Sequence, residues 1–144
     1  VRTYGGPVQV AVDTLLETPE DVLLIERGGD VGGGAVAMVG GFVDPHEWLV
    51  EAALRELEEE AGVTIQKSDL PPALLTPYDY PRRSMRGRII TNLLHIRLPA
   101  RVPLKAGDDA RRAFWLPKSD LPNVKRQFFS DHYHIVQQAI TRGA

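Results

Sequence analysis

Gly41-Phe42-Val43-Asp44-Pro45-His46-Glu47-Trp48-Leu49-Val50-Glu51-Ala52-Ala53-Leu54-Arg55-Glu56-Leu57-Glu58-Glu59-Glu60-Ala61-Gly62-Val63 carries a helix signature and a chemical one in the same residues. Asp44 offers an N-cap, Pro45 suits the first helical position, and Glu47 three residues past the cap closes a capping box. The pattern predicts a helix over 45–61, stopped at Gly62, the residue type favoured where a chain leaves a helix in the left-handed conformation. At about 100° per residue, Val50, Leu54, Leu57 and Ala61 share one stripe and are expected to be buried. Glu56, Glu59 and Glu60 lie together on its flank, spaced i, i+3 and i+4. Like charges at those spacings cost a helix about 0.2–0.5 kcal/mol per pair, so a purely structural helix gains nothing from them. A hard divalent cation such as Mg²⁺, which takes oxygen ligands, turns that cost into binding. Arg55, four residues from both Glu51 and Glu59, is placed to hold a ligating carboxylate in position. The plain alternative is a solvated acidic face.

Upstream, Ala35 to Val39 reads as a strand between two glycine-rich turns, and Val8–Val12 and Val22–Ile25 read as strands, the second running into Gly28-Gly29. Downstream, Ile89–Leu98 is a long strand and Ala113–Leu116 a short one. Asp131–Ile140 closes as a helix with Ile135, Val136, Ala139 and Ile140 on one face. Lys-Ser-Asp-Leu-Pro occurs at 67–71 and again at 118–122, without similarity around it, and reads as recurring turn chemistry. Alternating strands and helices make the fold class α/β, with one domain over 1–144.

The 144 residues include no cysteine, are 43% hydrophobic and 25% charged, and carry a formal net charge of -2. Such a chain buries about 70% of its unfolded surface without disulfides or a structural zinc. Thiol catalysis and iron–sulfur ligation are excluded. The apolar runs are short and broken by charges, and no charged-then-apolar leader opens the sequence, so no membrane contact and a cytoplasmic location are expected. The near-neutral balance lacks the positive field of a nucleic-acid binder. Charge is unevenly placed, however. Glu47 to Glu60 holds six glutamates against Arg55 alone, whereas Arg82 to Arg97 holds Arg82, Arg83, Arg86, Arg88 and Arg97 and no acid, which points to a cation site beside an anion site.

The spacing Gly41-x5-Glu47-x7-Arg55-Glu56-Leu57-x-Glu59-Glu60-x-Gly62-Val63 resembles the Nudix box, with every fixed position filled. The resemblance implies an α/β/α sandwich around a mixed β-sheet, with the box at 41–63 forming a loop–helix–loop that binds Mg²⁺ or Mn²⁺, two or more ions per site. It implies Glu56, Glu59 and Glu60 as metal ligands together with the Gly40 carbonyl, and Glu47 as the partner of Arg55, although a capping box explains Glu47 equally well. Glu59, Arg55 and Glu47 would thus serve catalysis. The general base in such enzymes often lies outside the box, and Asp108 and Asp109 are the candidates, with an Asp-rich turn as the alternative.

Arg83 to Thr91, Gly107 to Ala110 with Phe114-Trp115-Leu116-Pro117, and Phe128 to Ile135 are similar to the ADP-ribose pyrophosphatase branch. They are particularly similar to the Nudix domain of bifunctional nicotinamide mononucleotide adenylyltransferase/ADP-ribose pyrophosphatase proteins. The substrate implied is a nucleoside diphosphate linked to another moiety, foremost ADP-ribose hydrolysed to AMP and ribose 5-phosphate. NADH, a modified nucleoside triphosphate, or ADP-ribose sensing without turnover are the alternatives. Arg83, Arg86 and Arg88 offer multi-donor contacts to phosphate or ribose oxygens, with at least one expected to serve structure instead. Tyr4, Phe129 and Tyr133 are the aromatic candidates for the adenine, while His132 and His134 read as packing or capping residues. Val36-Ala37-Met38-Val39-Gly40-Gly41 stands where the family usually has Trp-Ala-Leu-Pro-Gly-Gly. Nudix relatives commonly form homodimers, which this sequence leaves open.

Overall fold

Val12, Leu15, Leu16, Val22, Leu23 and Leu24 are all buried to 0% exposure. Neighbouring residues of a strand point to opposite faces, so both faces of the sheet that holds them are covered. The computed structural model describes residues 7–29, 33–70, 75–107 and 110–142. Within these, one mixed sheet is built from β1 (Gln9–Glu17), β2 (Asp21–Arg27), β3 (Val36–Ala37), β4 (Val39–Phe42), β5 (Leu75–Tyr78), β6 (Ile89–Arg97) and β7 (Ala110–Pro117). The central β1 runs parallel to β6 and antiparallel to β2 and β4, while β2 also pairs with β3 and β7.

Helix α1 (Leu49–Ala61) covers one face, packing Ala52, Ala53, Leu57 and Ala61 against Val12, Leu16 and Leu23. Helix α2 (His132–Arg142) covers the other, with Ile135, Val136 and Ala139 against Leu15, Val22, Leu24 and Met38. The arrangement is the expected α/β/α sandwich. No helix among the described residues is long and apolar enough to cross a membrane.

The structure corrects the sequence reading at several points. The central helix begins at Leu49, not at Pro45; Glu47 does accept from the Asp44 N–H at 2.9 Å, but that bond closes a turn ahead of the helix. A second bond of the same kind, Trp48 N–H to Glu51 at 3.0 Å, starts α1 itself. The buried stripe is turned toward the alanines, with Ala52 and Ala53 fully covered and Val50 and Leu54 only half-buried. Alanine there lets the helix approach the sheet closely enough for Thr14 Oγ1 to donate to the Ala53 carbonyl at 3.3 Å. The strand expected over 35–39 is two short strands, β3 and β4, joined at Met38. Strand β5 was not foreseen, because Pro77 within it weakens the strand signal; it sits at the sheet edge, where a proline costs no ladder bond. Both Lys-Ser-Asp copies form 3₁₀ turns, as recurring turn chemistry requires.

Candidate active site

Gly62 ends α1 at φ 68°, in the left-handed region, and its N–H returns to the Glu58 carbonyl. The carboxylates of the preceding turns gather around one guanidinium. Arg55 takes Glu47 bidentately, Nε to Oε2 at 3.0 Å and Nη2 to Oε1 at 2.6 Å. Its Nη1 donates to Glu56 at 2.8 Å and to Glu59 at 3.2 Å, and its Nη2 reaches the Phe42 carbonyl at 3.2 Å. The Glu47 carboxyl is held below its ordinary range, first by its bonds from Arg55. Glu47 therefore does both things its position allows, closing a turn and orienting Arg55.

Glu56 and Glu60 come together on the inner side of α1. Glu60 is buried beside Glu56, with the Gly40 backbone amide close by; burial first, then the Glu56 carboxylate, pushes its carboxyl up to about 9. Two acids in contact at low exposure are tolerated when a proton or a cation sits between them. The wall beside them is bare backbone. A Cβ on Gly41 would lie 2.5 Å from Glu56 Oε1, and one on Gly40 would lie 2.2 Å from Asp13 Oδ1 and 2.4 Å from the Val12 carbonyl. Paired carboxylates against a glycine floor with an available carbonyl are an oxygen donor set that fits a hard divalent cation. Glu59 is more exposed and is held outward by Arg55, so the three box glutamates are not closed into a finished cage among the described residues.

These groups border a cleft of about 650 Å³ lined by Glu56, Glu60, Gly40, Gly41, Phe42, Arg27, Arg86 and Arg111, among others. A second, small cavity of about 40 Å³ adjoins it over Asp13, Met38, Thr91 and His132. On the basic side, Arg27 lies 4.0 Å over the Phe129 ring, and Arg86 stands 5.2 Å from Phe129 and 5.3 Å from Phe42. Two guanidinium groups thus share one aromatic seat opposite two carboxylates. Arg27 Nε is buried with no partner among the described residues.

Of the basic residues expected to meet substrate, only Arg86 reaches this cleft with donors to spare. Arg83 is the one that serves structure: it is buried, bonds Asp131 at 3.0 and 2.8 Å and the Ile89 carbonyl at 3.3 Å, and lines the small cavity. Arg88 bonds the Asp79 carbonyl at the start of the same loop. Phe129 is at the site, but its ring carries the two arginines rather than an open face. Tyr133 packs edge-on against Phe128 in the core. Tyr4, Asp108 and Asp109 lie outside the described residues. On either side of the last two, Gly107 donates to the Glu60 carbonyl at 3.2 Å and Ala110 lines the cleft.

Arg27, Arg111 and Phe42 in the cleft and Asp13 in the small cavity are among the residues that sequence reasoning missed. Arginines at strand ends, an aspartate inside an apolar run and a phenylalanine in a glycine turn have no shared spacing to connect them.

The sequence matches the family model described as NUDIX domain over residues 7–139. It is 35% identical over 136 residues to the ADP-ribose pyrophosphatase of Methanocaldococcus jannaschii, covering 94% of this chain and 75% of that protein. Among solved structures, a bifunctional NMN adenylyltransferase/ADP ribose pyrophosphatase from Francisella tularensis, complexed with AMP and a manganese ion, superposes with a TM-score of 0.87 at 29% identity; the match covers 96% of this chain and 42% of that one. The NUDIX domain of Shewanella oneidensis NrtR, complexed with ADP ribose, superposes at 0.83 with 22% identity over 97% of this chain and 91% of its own, a likeness of fold.

Proposed function

The chain belongs to the Nudix family and is a Nudix pyrophosphohydrolase, and from that premise we propose that it hydrolyses ADP-ribose to AMP and ribose 5-phosphate with Mg²⁺ or Mn²⁺. One observation carries the reading: a single cleft of about 650 Å³ joins the Glu56–Glu60 carboxylates to the Arg27–Arg86 guanidinium pair, which is what a cation-bound diphosphate needs. The matched relatives in Methanocaldococcus jannaschii and Francisella tularensis, both named as ADP-ribose pyrophosphatases, support this substrate.

In the reaction, water attacks one phosphorus of the diphosphate, the bond from that phosphorus to the bridging oxygen breaks, and both products leave as phosphate monoesters. Glu56, Glu60 and the Gly40 carbonyl would hold the cation, and Glu59, released from Arg55, would complete the set. Bound cations, two or more, would supply neutralisation of the phosphate oxygens and a lowered pKa for the attacking water. Arg55 ties Glu56 and Glu59 through one nitrogen, Nη1, and so orients both, and Glu47 keeps Arg55 in place. Arg27 and Arg86 grip the diphosphate from the opposite wall, seated on Phe129, while exposed Phe42 offers its face to the adenine. Asp108 or Asp109 takes the water's proton.

A panel of ADP-ribose, NADH, flavin adenine dinucleotide and nucleoside triphosphates, incubated with Mg²⁺ and with chelator and resolved by chromatography, tests this. The expected result is metal-dependent AMP release from ADP-ribose well above the rest. A preference for another member replaces the substrate; uniform inactivity alongside measurable ADP-ribose binding overturns hydrolysis in favour of sensing.

A further inference from the structure

His132 opens α2, yet its ring reaches across to the sheet. It is 5% exposed, and its Nδ1 accepts the Met38 N–H at 3.0 Å, a bond between residues 94 positions apart. Met38 lies between β3 and β4, outside both strands, so its buried amide must find a partner away from the ladders. An imidazole nitrogen that accepts carries no proton, which puts the ring's hydrogen on Nε2. That atom faces Asp13 Oδ1 at 3.7 Å. Asp13 is fixed in turn by Thr91 Oγ1, which donates to Oδ2 at 2.5 Å, and it stands directly opposite Gly40 in the β1–β4 register.

The result is a buried brace behind the glycine floor. His132 holds the chain two residues before Gly40, and Asp13 presses on Gly40 itself, leaving no room for a Cβ. From the front, the buried Glu60 lies close to the Gly40 backbone amide. Backbone contacts dock the same helix start on β3, where Phe129 N–H meets the Val36 carbonyl at 2.8 Å. The fold is therefore already tied at Val36, and the imidazole adds a tie at the one residue from which the chain turns into Gly40 and Gly41.

We infer that His132 is a positioning residue for the cation site, acting through the Met38 amide to set the direction of the Gly40 carbonyl and the seat of Glu56. The inference rests on the reading of Gly40, Glu56 and Glu60 as cation ligands. Removing a group that orients a metal ligand typically weakens metal affinity about 10- to 100-fold without touching the metal.

The test is Mn²⁺ titration of the whole protein, freed of metal beforehand, followed by electron paramagnetic resonance, with thermal unfolding of each metal-free variant. His132→Asn places an amide oxygen where Nδ1 lies, His132→Gln carries its polar group at the Nε2 end, and His132→Leu has neither. Expected is Mn²⁺ affinity near wild type for His132→Asn and a loss of about tenfold or more for His132→Gln and His132→Leu. Equal affinity in all four proteins, or losses that follow thermal stability alone, overturns the inference. If His132→Leu does not fold, the Asn and Gln variants decide between the same two results. A wild-type protein that binds no Mn²⁺ removes the cation reading and the brace with it, a result distinct from binding that ignores residue 132.

Discussion

Arg83 and Arg86 are three residues apart in one basic loop and have opposite fates. Arg83 is buried with Asp131, their side chains 3% and 8% exposed, and three of its five N–H donors bond Asp131 and the Ile89 carbonyl. Arg86 reaches the cleft and stacks by Phe42 and Phe129. Removing one partner of a buried ion pair leaves an uncompensated charge, so Arg83→Ala is expected to lose about 3–5 kcal/mol in urea unfolding. Arg86→Ala is expected to stay within about 0.5 kcal/mol of wild type and to raise KM for ADP-ribose about tenfold, the loss of roughly one charged contact. An Arg83→Ala protein with wild-type stability and a raised KM would reverse the assignment. The two residues look alike in sequence because the pattern reports charge and not burial; the acid that claims Arg83 lies 48 positions away. The meeting of Glu56 and Glu60 was legible because helical i, i+4 spacing alone brings them together, whereas Glu59 is drawn to Arg55.

At the scale of elements, the site depends on where α1 begins and how β4 passes it. A helix running from Pro45 would put Glu47 about 12 Å along the axis from Arg55, at 1.5 Å per residue. With residues 44–48 unwound, Glu47 folds back to meet the guanidinium at 2.6 Å. Only the Glu47 half of the expected capping box forms, in a turn ahead of the helix, and its glutamate serves Arg55 as well; the sequence has no way to show that Trp48 and Glu51 start the helix instead. Strand β4 gives two glycines with different obligations. At Gly40 a methyl group would strike the Val12 carbonyl, which is main chain, so Gly40→Ala should cost about 2 kcal/mol or more from overpacking. At Gly41 it would strike only the end of Glu56, so Gly41→Ala should melt close to wild type while Mn²⁺ affinity falls about tenfold. Thermal unfolding and Mn²⁺ titration on the two variants check this, and a Gly40→Ala protein as stable as wild type would show slack in β4 that the register does not allow.

Across the whole molecule, the charge asymmetry of the sequence is only half realised at the cleft. Glu56 and Glu60 face Arg86 there, but Arg97 stands at the far end of the sheet, with His95 and Lys118 around the buried Glu17. Arg101 closes the same end on Asp21, at 2.8 and 2.7 Å. These far-end pairs hold the β1–β2 hairpin and the chain after β6, and Glu47, ahead of α1 and bound by Arg55, is one more acid of this kind. Both Asp21 and Glu47 have carboxyls held below their ordinary values of 3.8 and 4.5, in each case first by the hydrogen bonds of an arginine. A depressed folded-state pKa means that the unfolded chain takes up protons first as acid is added. The stability these two acids provide is therefore complete above about pH 4.5 and is lost as pH falls below it and through the lower folded values. The urea midpoint of the metal-free protein is expected to drop between pH 5 and pH 3. Asp21→Asn, which cannot titrate, should start lower at pH 6 and decline less steeply over the same range. Parallel profiles for the two proteins would mean that the Asp21–Arg101 pair carries no acid sensitivity and that the loss arises in the box.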